Sequence, residues 1–462
     1  MTKSRVRLHP RYGRRWGLVV LTVTTVCLPG PLASQEVAAE EYARRRSRIL
    51  EAVPDGILLL HARPAAKTME QWGFIQDPSF LYFSGLNDLP GAILALDGSA
   101  SEVHLFVPPP PVSFGLPVPN LVPDPGLATA RRYGLDSVRS WDDFGDWVES
   151  RLEGGADVLY VDEPRRPESA GVPPGLDRVS GHLALWKKAL ETRFPEAEIQ
   201  SAKGAIQTMR WQKSADEMAI LRRNAITTVS ALLEMGRALR PGVTQREAEG
   251  VVVATCLSEG GEGPSFWPWT MAGANAHVER LVGAFFRYDQ SNRAMEAGEL
   301  VRVDIGCAGG LYGADVGRTL PVSGRFTAGQ REAWDLLIVG YRAGLDAMGP
   351  GVEVRAVRAA SQAAVVAAAD GLTTDMGRRA AETIISGGEA IWHLHGVGIE
   401  SGEGALPVLV EGAVIAYEPG FNVGPDAFYL EDMIAVTPDG VEVLSAGLPY
   451  RATEIEAVMA GR

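Results

Sequence analysis

Val301-Arg302-Val303-Asp304-Ile305-Gly306-Cys307-Ala308-Gly309-Gly310-Leu311-Tyr312-Gly313-Ala314-Asp315-Val316-Gly317-Arg318-Thr319 sets two aspartates, eleven residues apart, in apolar runs that read as strands. Aspartate is disfavoured in strands, so for one such residue the ordinary reading is a strand end or a turn cap. A later segment repeats the pattern with glutamates, in Ala416-Tyr417-Glu418-Pro419-Gly420 and Tyr429-Leu430-Glu431-Asp432-Met433. Burying a bare carboxylate is costly, and four inward carboxylates arriving in pairs need cations between them.

Helices flank both segments in the same order. Ser214-Ala215-Asp216-Glu217 is a capping box, after which Met218, Leu221, Ala225, Val229 and Leu232 fall at helical spacing until Pro241-Gly242. Thr244-Gln245-Arg246-Glu247 opens a second helix, and Thr327-Ala328-Gly329-Gln330 a third that precedes an alanine-rich fourth. Arg240-Pro241-Gly242-Val243 in the first half answers Gly349-Pro350-Gly351-Val352 in the second, each between two helices. Strand-rich segments follow at 300–322 and 414–436. The pattern predicts an internally duplicated α+β domain over 203–462, with pseudo-twofold symmetry and a central cleft.

Upstream, runs such as Gly56-Ile57-Leu58-Leu59-Leu60 and Ala92-Ile93-Leu94-Ala95-Leu96 alternate with helical stretches, which predicts a smaller α/β domain over 36–202. The proline-bearing stretch 108–125 reads as an ordered surface loop, with a disordered linker as the alternative. Two cores suit a chain of 462 residues that is 46% apolar. A net charge of -13, with no dense basic and aromatic segment in the body of the chain, excludes a nucleic-acid face. Cys27, Cys256 and Cys307 are too scattered for a disulfide framework and read as small buried hydrophobes.

Residues 1–35 read as an export signal. Lys3, Arg5, Arg7, Arg11, Arg14 and Arg15 precede the apolar run 16–28, which ends at Pro29. That run falls short of the roughly twenty residues that cross a bilayer, so a membrane anchor is the weaker alternative. Gly13-Arg14-Arg15-Trp16-Gly17-Leu18 partly resembles a twin-arginine signal. The expected destination is periplasmic or extracellular.

Carboxylate oxygens with one imidazole suit hard or borderline divalent ions, and two close ions can share bridging carboxylates. Beyond residue 205 the histidines are His277, His393 and His395. The candidate ligand is His395, in Trp392-His393-Leu394-His395-Gly396-Val397-Gly398, whose glycines permit close backbone approach. A histidine in such a run is more often a satisfied core residue, and His393, two residues earlier on the same strand face, could line a site or pack.

Taken together, these motifs resemble the pita-bread metallopeptidases, the family of aminopeptidase P, prolidase and methionine aminopeptidase, with creatinase as a metal-free relative. Val303-Asp304-Ile305-Gly306, Ala314-Asp315-Val316-Gly317-Arg318-Thr319, His395-Gly396-Val397-Gly398, Glu418-Pro419-Gly420 and Glu431-Asp432 match its five ligand motifs in order, over nearly the whole mature chain. Phe74-Ile75-Gln76-Asp77-Pro78-Ser79-Phe80-Leu81-Tyr82-Phe83-Ser84-Gly85-Leu86 resembles the creatinase-like N-terminal domain of aminopeptidase P. The resemblance implies two divalent ions, manganese first, with cobalt or zinc as alternatives. Asp304 would chelate one ion, His395 and Glu418 the other, and Asp315 and Glu431 would bridge both, with Glu418 shuttling the proton as catalytic residue. The implied activity is Xaa-Pro aminopeptidase-like hydrolysis. The alternatives are a metal-bound relative acting on another amide or C–N bond and a catalytically weak scaffold. Expected partners are a peptide or small amide substrate and further copies of the chain in a homodimer or higher homo-oligomer.

The sequence also departs from the family. Its substrate-side His-Tyr pair falls on Arg287-Tyr288, a second histidine falls on Gly402, and the arginine two residues before the second glutamate falls on Tyr429. Arg287, His393 and His277, which follows a lengthened loop after Gly273-Ala274-Asn275-Ala276, are therefore the substrate-binding candidates.

Overall fold

The computed structural model describes residues 37–65, 75–110, 112–113, 116–117, 123–164, 181–277, 280, 283 and 290–461. The export segment, Cys27, Phe74, Arg287 and Tyr288 lie outside these residues.

The first sheet has strands β1 (Gly56–His61), β2 (Ile93–Asp97), β3 (Glu102–Val107), β6 (Ser137–Ser140), β7 (Val158–Val161) and β8 (Glu198–Ser201), in the order β6-β3-β2-β1-β7-β8. Within the proline-bearing stretch, β4 (Val112–Ser113) pairs separately with β5 (Leu116–Pro117). Helices α1 (Ala39–Leu50), α2 (Pro78–Ser84), α3 (Leu127–Tyr133), α4 (Phe144–Glu153), α5 (His182–Arg193) and α6 (Lys203–Trp211) cover both faces. This explains the unbroken apolar runs, since a strand buried on both faces has no polar side to alternate with. Leu58, Leu60 and Leu94 pack with Phe80, Phe83, Ile206 and Met209, whereas Ile57, Leu59 and Ala95 pack with Trp147, Val148 and Leu190.

Local chemistry starts α2. The Asp77 side chain accepts from the Ser79 and Phe80 amides at 3.0 and 2.9 Å, Pro78 needs no donor partner, and Gly85 ends the helix at φ 73°.

The second sheet is built around a symmetric order. Helices α7 (Ala215–Ala238) and α8 (Gln245–Ser258) precede β9 (Gly263–Pro264), β10 (Trp269–Ala272), β11 (Leu300–Ile305), β12 (Cys307–Ala308) and β13 (Val316–Pro321). Helices Ala328–Ala347, Val354–Ala368 and Asp375–Gly387 precede β14 (Leu394–Gly396), β15 (Val414–Tyr417), β16 (Gly420–Val423), β17 (Asp426–Thr437) and β18 (Gly440–Val443). The order β10-β11-β13-β17-β15-β14 is symmetric about the β13–β17 joint, as the sequence repeat predicts. The three capping boxes at Ser214, Thr244 and Thr327 all form.

Helix α6 carries the chain from one core to the next: Ile206 and Met209 belong to the first and Trp211 to the second. Arg45 of α1 also links the two, donating to the Tyr82 carbonyl at 3.1 Å and pairing with Glu217 of α7 at 3.2 Å, both side chains buried.

The cysteine reading needs correction. Cys256 and Cys307 are buried, as expected, but joined in a disulfide across 51 residues of sequence. Packing of α8 against the β9–β12 ladder brings them together, a non-local contact that cysteine spacing does not reveal.

Candidate metal centre

Strand register places the carboxylates. Asp304, on β11, pairs with Gly317 of β13, and Gly317 in turn pairs with Glu431 of β17, so the three stand in a row across the sheet. Asp315 immediately precedes β13 and Glu418 immediately follows β15. The turn between the aspartates is held from α7, where the buried Asn224 amide donates to the Gly309 and Tyr312 carbonyls, each at 2.9 Å. His395 comes from β14, where it pairs with Ala416.

These elements bring together all five predicted ligand residues. Asp315, His395 and Glu431 each offer an atom, and the three atoms lie within 4.8 Å of one another. His395 Nε2 lies 3.1 Å from Glu418 Oε1 and 3.6 Å from Asp315 Oδ2. His395 Nδ1 lies 2.9 Å from the Gly396 carbonyl oxygen, which assigns a proton to Nδ1 and turns Nε2 towards the carboxylates. His393 touches the cluster through Glu418 Oε1 while its own ring stays exposed.

Burial without enough positive charge shapes the electrostatics. It pushes the Asp304 carboxyl up to about 6 against the pull of Arg302, and it drives Asp315 and Glu431 well above the usual carboxylate range. Glu418 goes the other way, because hydrogen bonds from His393 and His395 outweigh its desolvation. Among the described residues, Glu431 Oε1 is fully buried with no hydrogen-bond partner. An orphaned carboxylate oxygen close to an imidazole nitrogen and a second carboxylate fits a divalent ion by donor type, geometry and charge.

Alternation along β17 separates neighbouring acids. Glu431 points into the cluster, whereas Asp432 meets the Arg318 guanidinium at 2.8 Å, the Tyr341 hydroxyl at 2.7 Å and the Ser445 hydroxyl at 2.6 Å. Arg318 therefore neutralises the acid on the far face.

Sequence reasoning left two members of the site off its candidates, noting Tyr429 only as the residue on which a family arginine falls. The Tyr429 hydroxyl lies 2.7 Å from Glu418, 2.9 Å from Glu431 and 3.3 Å from Asp304, and Arg302 reaches Asp304 Oδ2 at 3.4 Å. Each stands two residues before a ligand on its own strand, so period-two alternation was the available signal. His277 immediately follows the short helical turn Gly273–Ala276 after β10, near Asp426. Gly402 lies in the partly buried loop after β14.

A duplicated sheet with paired carboxylates and one imidazole at its dyad defines a pita-bread metallopeptidase-type centre. Metallopeptidase family M24 matches residues 219–438, and the aminopeptidase P N-terminal domain matches residues 42–160. The chain belongs to the M24 metallopeptidases of the kind that carry this N-terminal domain. It is 26% identical over 454 residues to the Xaa-Pro aminopeptidase of Escherichia coli strain K12, spanning 92% of this chain and 98% of that one. Among solved structures, Pseudomonas aeruginosa aminopeptidase PepP superposes with a TM-score of 0.71 at 25% identity, over 92% of this chain and 99% of that one. The zinc-substituted E. coli aminopeptidase P in complex with product superposes at 0.70 and 25%, with the same coverage.

Proposed function

We propose that this chain is a two-ion aminopeptidase that removes the residue preceding a proline at a peptide's N-terminus. The observation that carries this reading is the buried Glu431 oxygen, without a hydrogen-bond partner among the described residues, within a cluster of four carboxylates and His395. Asp304 would hold one ion, His395 and Glu418 the other, and Asp315 and Glu431 would bridge them. When bound, such ions supply a water-derived nucleophile at neutral pH and stabilise an oxyanion. Glu418, held by His393 and His395, is placed to take the proton from the attacking water and pass it to the leaving proline nitrogen. The Gly396 carbonyl keeps His395 in the ligand tautomer. Manganese is the expected metal, with cobalt or zinc as alternatives, and the relative named for its zinc substitution supports a divalent ion.

Arg287 and Gly402 replace histidines that the family resemblance places beside the substrate. Losing one transition-state hydrogen bond costs about 10²–10³ in turnover, so activity should be present but weak. Arg287, a fixed cation, would favour a substrate bearing a free carboxylate.

The test is a metal-analysed sample assayed on matched Xaa-Pro and Xaa-Ala peptides. Release of the first residue from the Xaa-Pro set, abolished by chelation and restored by manganese, is the expected result. A fully metallated sample that cleaves no peptide would overturn the reading in favour of another amide or C–N substrate. We also propose export to an oxidising compartment, supported by the basic start, the apolar run and the buried Cys256–Cys307 disulfide. A reporter fused after residue 40 and retained in the cytoplasm would overturn that.

A further inference from the structure

Tyr429 occupies a slot built for its ring. On β13, a Cβ at Gly317 would lie 2.2 Å from one ring carbon, and on β16 a Cβ at Gly420 would lie 3.1 Å from another. The Arg302 guanidinium carbon stacks 3.8 Å from the ring centroid. Arg302 is largely buried, and among the described residues its Nε has no hydrogen-bond partner. The stack aims the phenol hydroxyl at three carboxylates and the guanidinium at Asp304 Oδ2, the oxygen that also faces the hydroxyl.

This arrangement divides the centre into unequal halves. Among the described residues, neither Arg302 nor Tyr429 hydrogen-bonds to Asp315 or His395, while Asp304 faces a guanidinium and a phenol at once. A divalent ion taking Asp304 must displace both and then sit close to a fixed positive charge. An ion taking His395 and Glu418 leaves Arg302 in place, although it competes with the phenol for Glu418 and Glu431.

We propose that Arg302 and Tyr429 are a resident positioning pair that stands in for a cation on the Asp304 side, holding Asp304, Glu418 and Glu431 in register and making the Asp304-side ion the weaker and last to bind. The proposal rests on the two-ion reading above. It assigns to two strands what the family resemblance places on one arginine.

Metal-free protein titrated with manganese, following free ion by electron paramagnetic resonance, should show two steps of unequal affinity. Arg302→Met should tighten the second step by about tenfold or more and leave the first unchanged, the scale of one charged hydrogen-bond partner removed. Arg302→Lys, which keeps the charge, should keep the second step weak. Tyr429→Phe retains the ring, so it should lower the melting temperature of the metal-free form only, whereas a packing defect would lower both forms alike. Should Arg302→Met not fold, Arg302→Lys and Tyr429→Phe carry the test. Two equal steps in the natural chain, or equal changes in both steps for Arg302→Met, would overturn this proposal alone. Binding of no ion, or of one, would overturn the two-ion reading and the proposal with it.

Discussion

Two buried acid clusters lie at either end of the short segment that begins at His395, and they behave oppositely. Around Glu403, the cations match the acids: Lys213 sits 3.0 Å from one oxygen, Arg210 sits 2.7 Å from the other, and Arg210 also reaches Glu400 at 2.7 Å. Burial alone would raise the Glu403 carboxyl, yet Lys213 and Arg210 outweigh it and hold it at about 2. In the cluster of Asp304, Asp315 and Glu431, Arg302 alone does not offset the acids, and burial drives all three carboxyls up. Acid count therefore does not mark a metal site. The mark is a deficit of positive charge in a place that water cannot repair. Arg210 comes from α6 and Glu403 from the loop after β14, so the balanced cluster is a joint that steadies the histidine-bearing strand.

Removing a carboxylate from the deficient cluster should have the largest effect. Asp315→Asn should strip both ions in metal analysis and cut turnover by more than the 10–100-fold typical of losing a ligand's neighbour. The metal-free form should melt higher than the natural one, because a buried acid without a cation is gone. Loss of a single ion would contradict a bridging role.

In the balanced cluster the same chemical change should act on stability instead. Glu403→Gln leaves Lys213 buried without its carboxylate, and breaking a buried pair from one side costs about 3–5 kcal/mol. Chemical denaturation is the measurement, and an unchanged midpoint would refute the joint. The natural pair also carries a pH signature. Because the Glu403 carboxyl is held at about 2 against an ordinary 4.5, its stabilisation is present above 4.5 and lost as pH falls through 2. The variant should lack that acid limb.

A third buried acid sharpens the contrast with a smaller effect. Glu249 accepts from the Trp267 indole at 3.2 Å, its Oε1 has no partner among the described residues, and burial pushes it up to about 8 from 4.5. With a raised carboxyl, stability is fully present below 4.5 and declines as pH rises through 8. Glu249→Gln should flatten that decline in melting temperature measured between pH 5 and 9. A decline identical to the natural chain's would place the titration elsewhere.

Much of the fold was legible because its signals are local. The capping boxes at Ser214, Thr244 and Thr327 satisfy amides three residues away, and the two copies of the Pro-Gly turn between helices mark the duplication without any long-range contact. The carboxylates stood out because strands reject them, so Asp304, Asp315, Glu418 and Glu431 were visible as exceptions to an apolar pattern. Tertiary structure alone decided the rest. Arg302 on β11 and Tyr429 on β17 are separated by β13, and they touch only because Gly317 has no side chain between them. Cys256 and Cys307 bond because α8 packs against the ladder carrying Cys307, and His277 comes near Asp426 through a fold that no spacing foretells. Contacts within one turn or one strand follow from the order of residues, whereas contacts across strands depend on register and on what the intervening strand leaves empty.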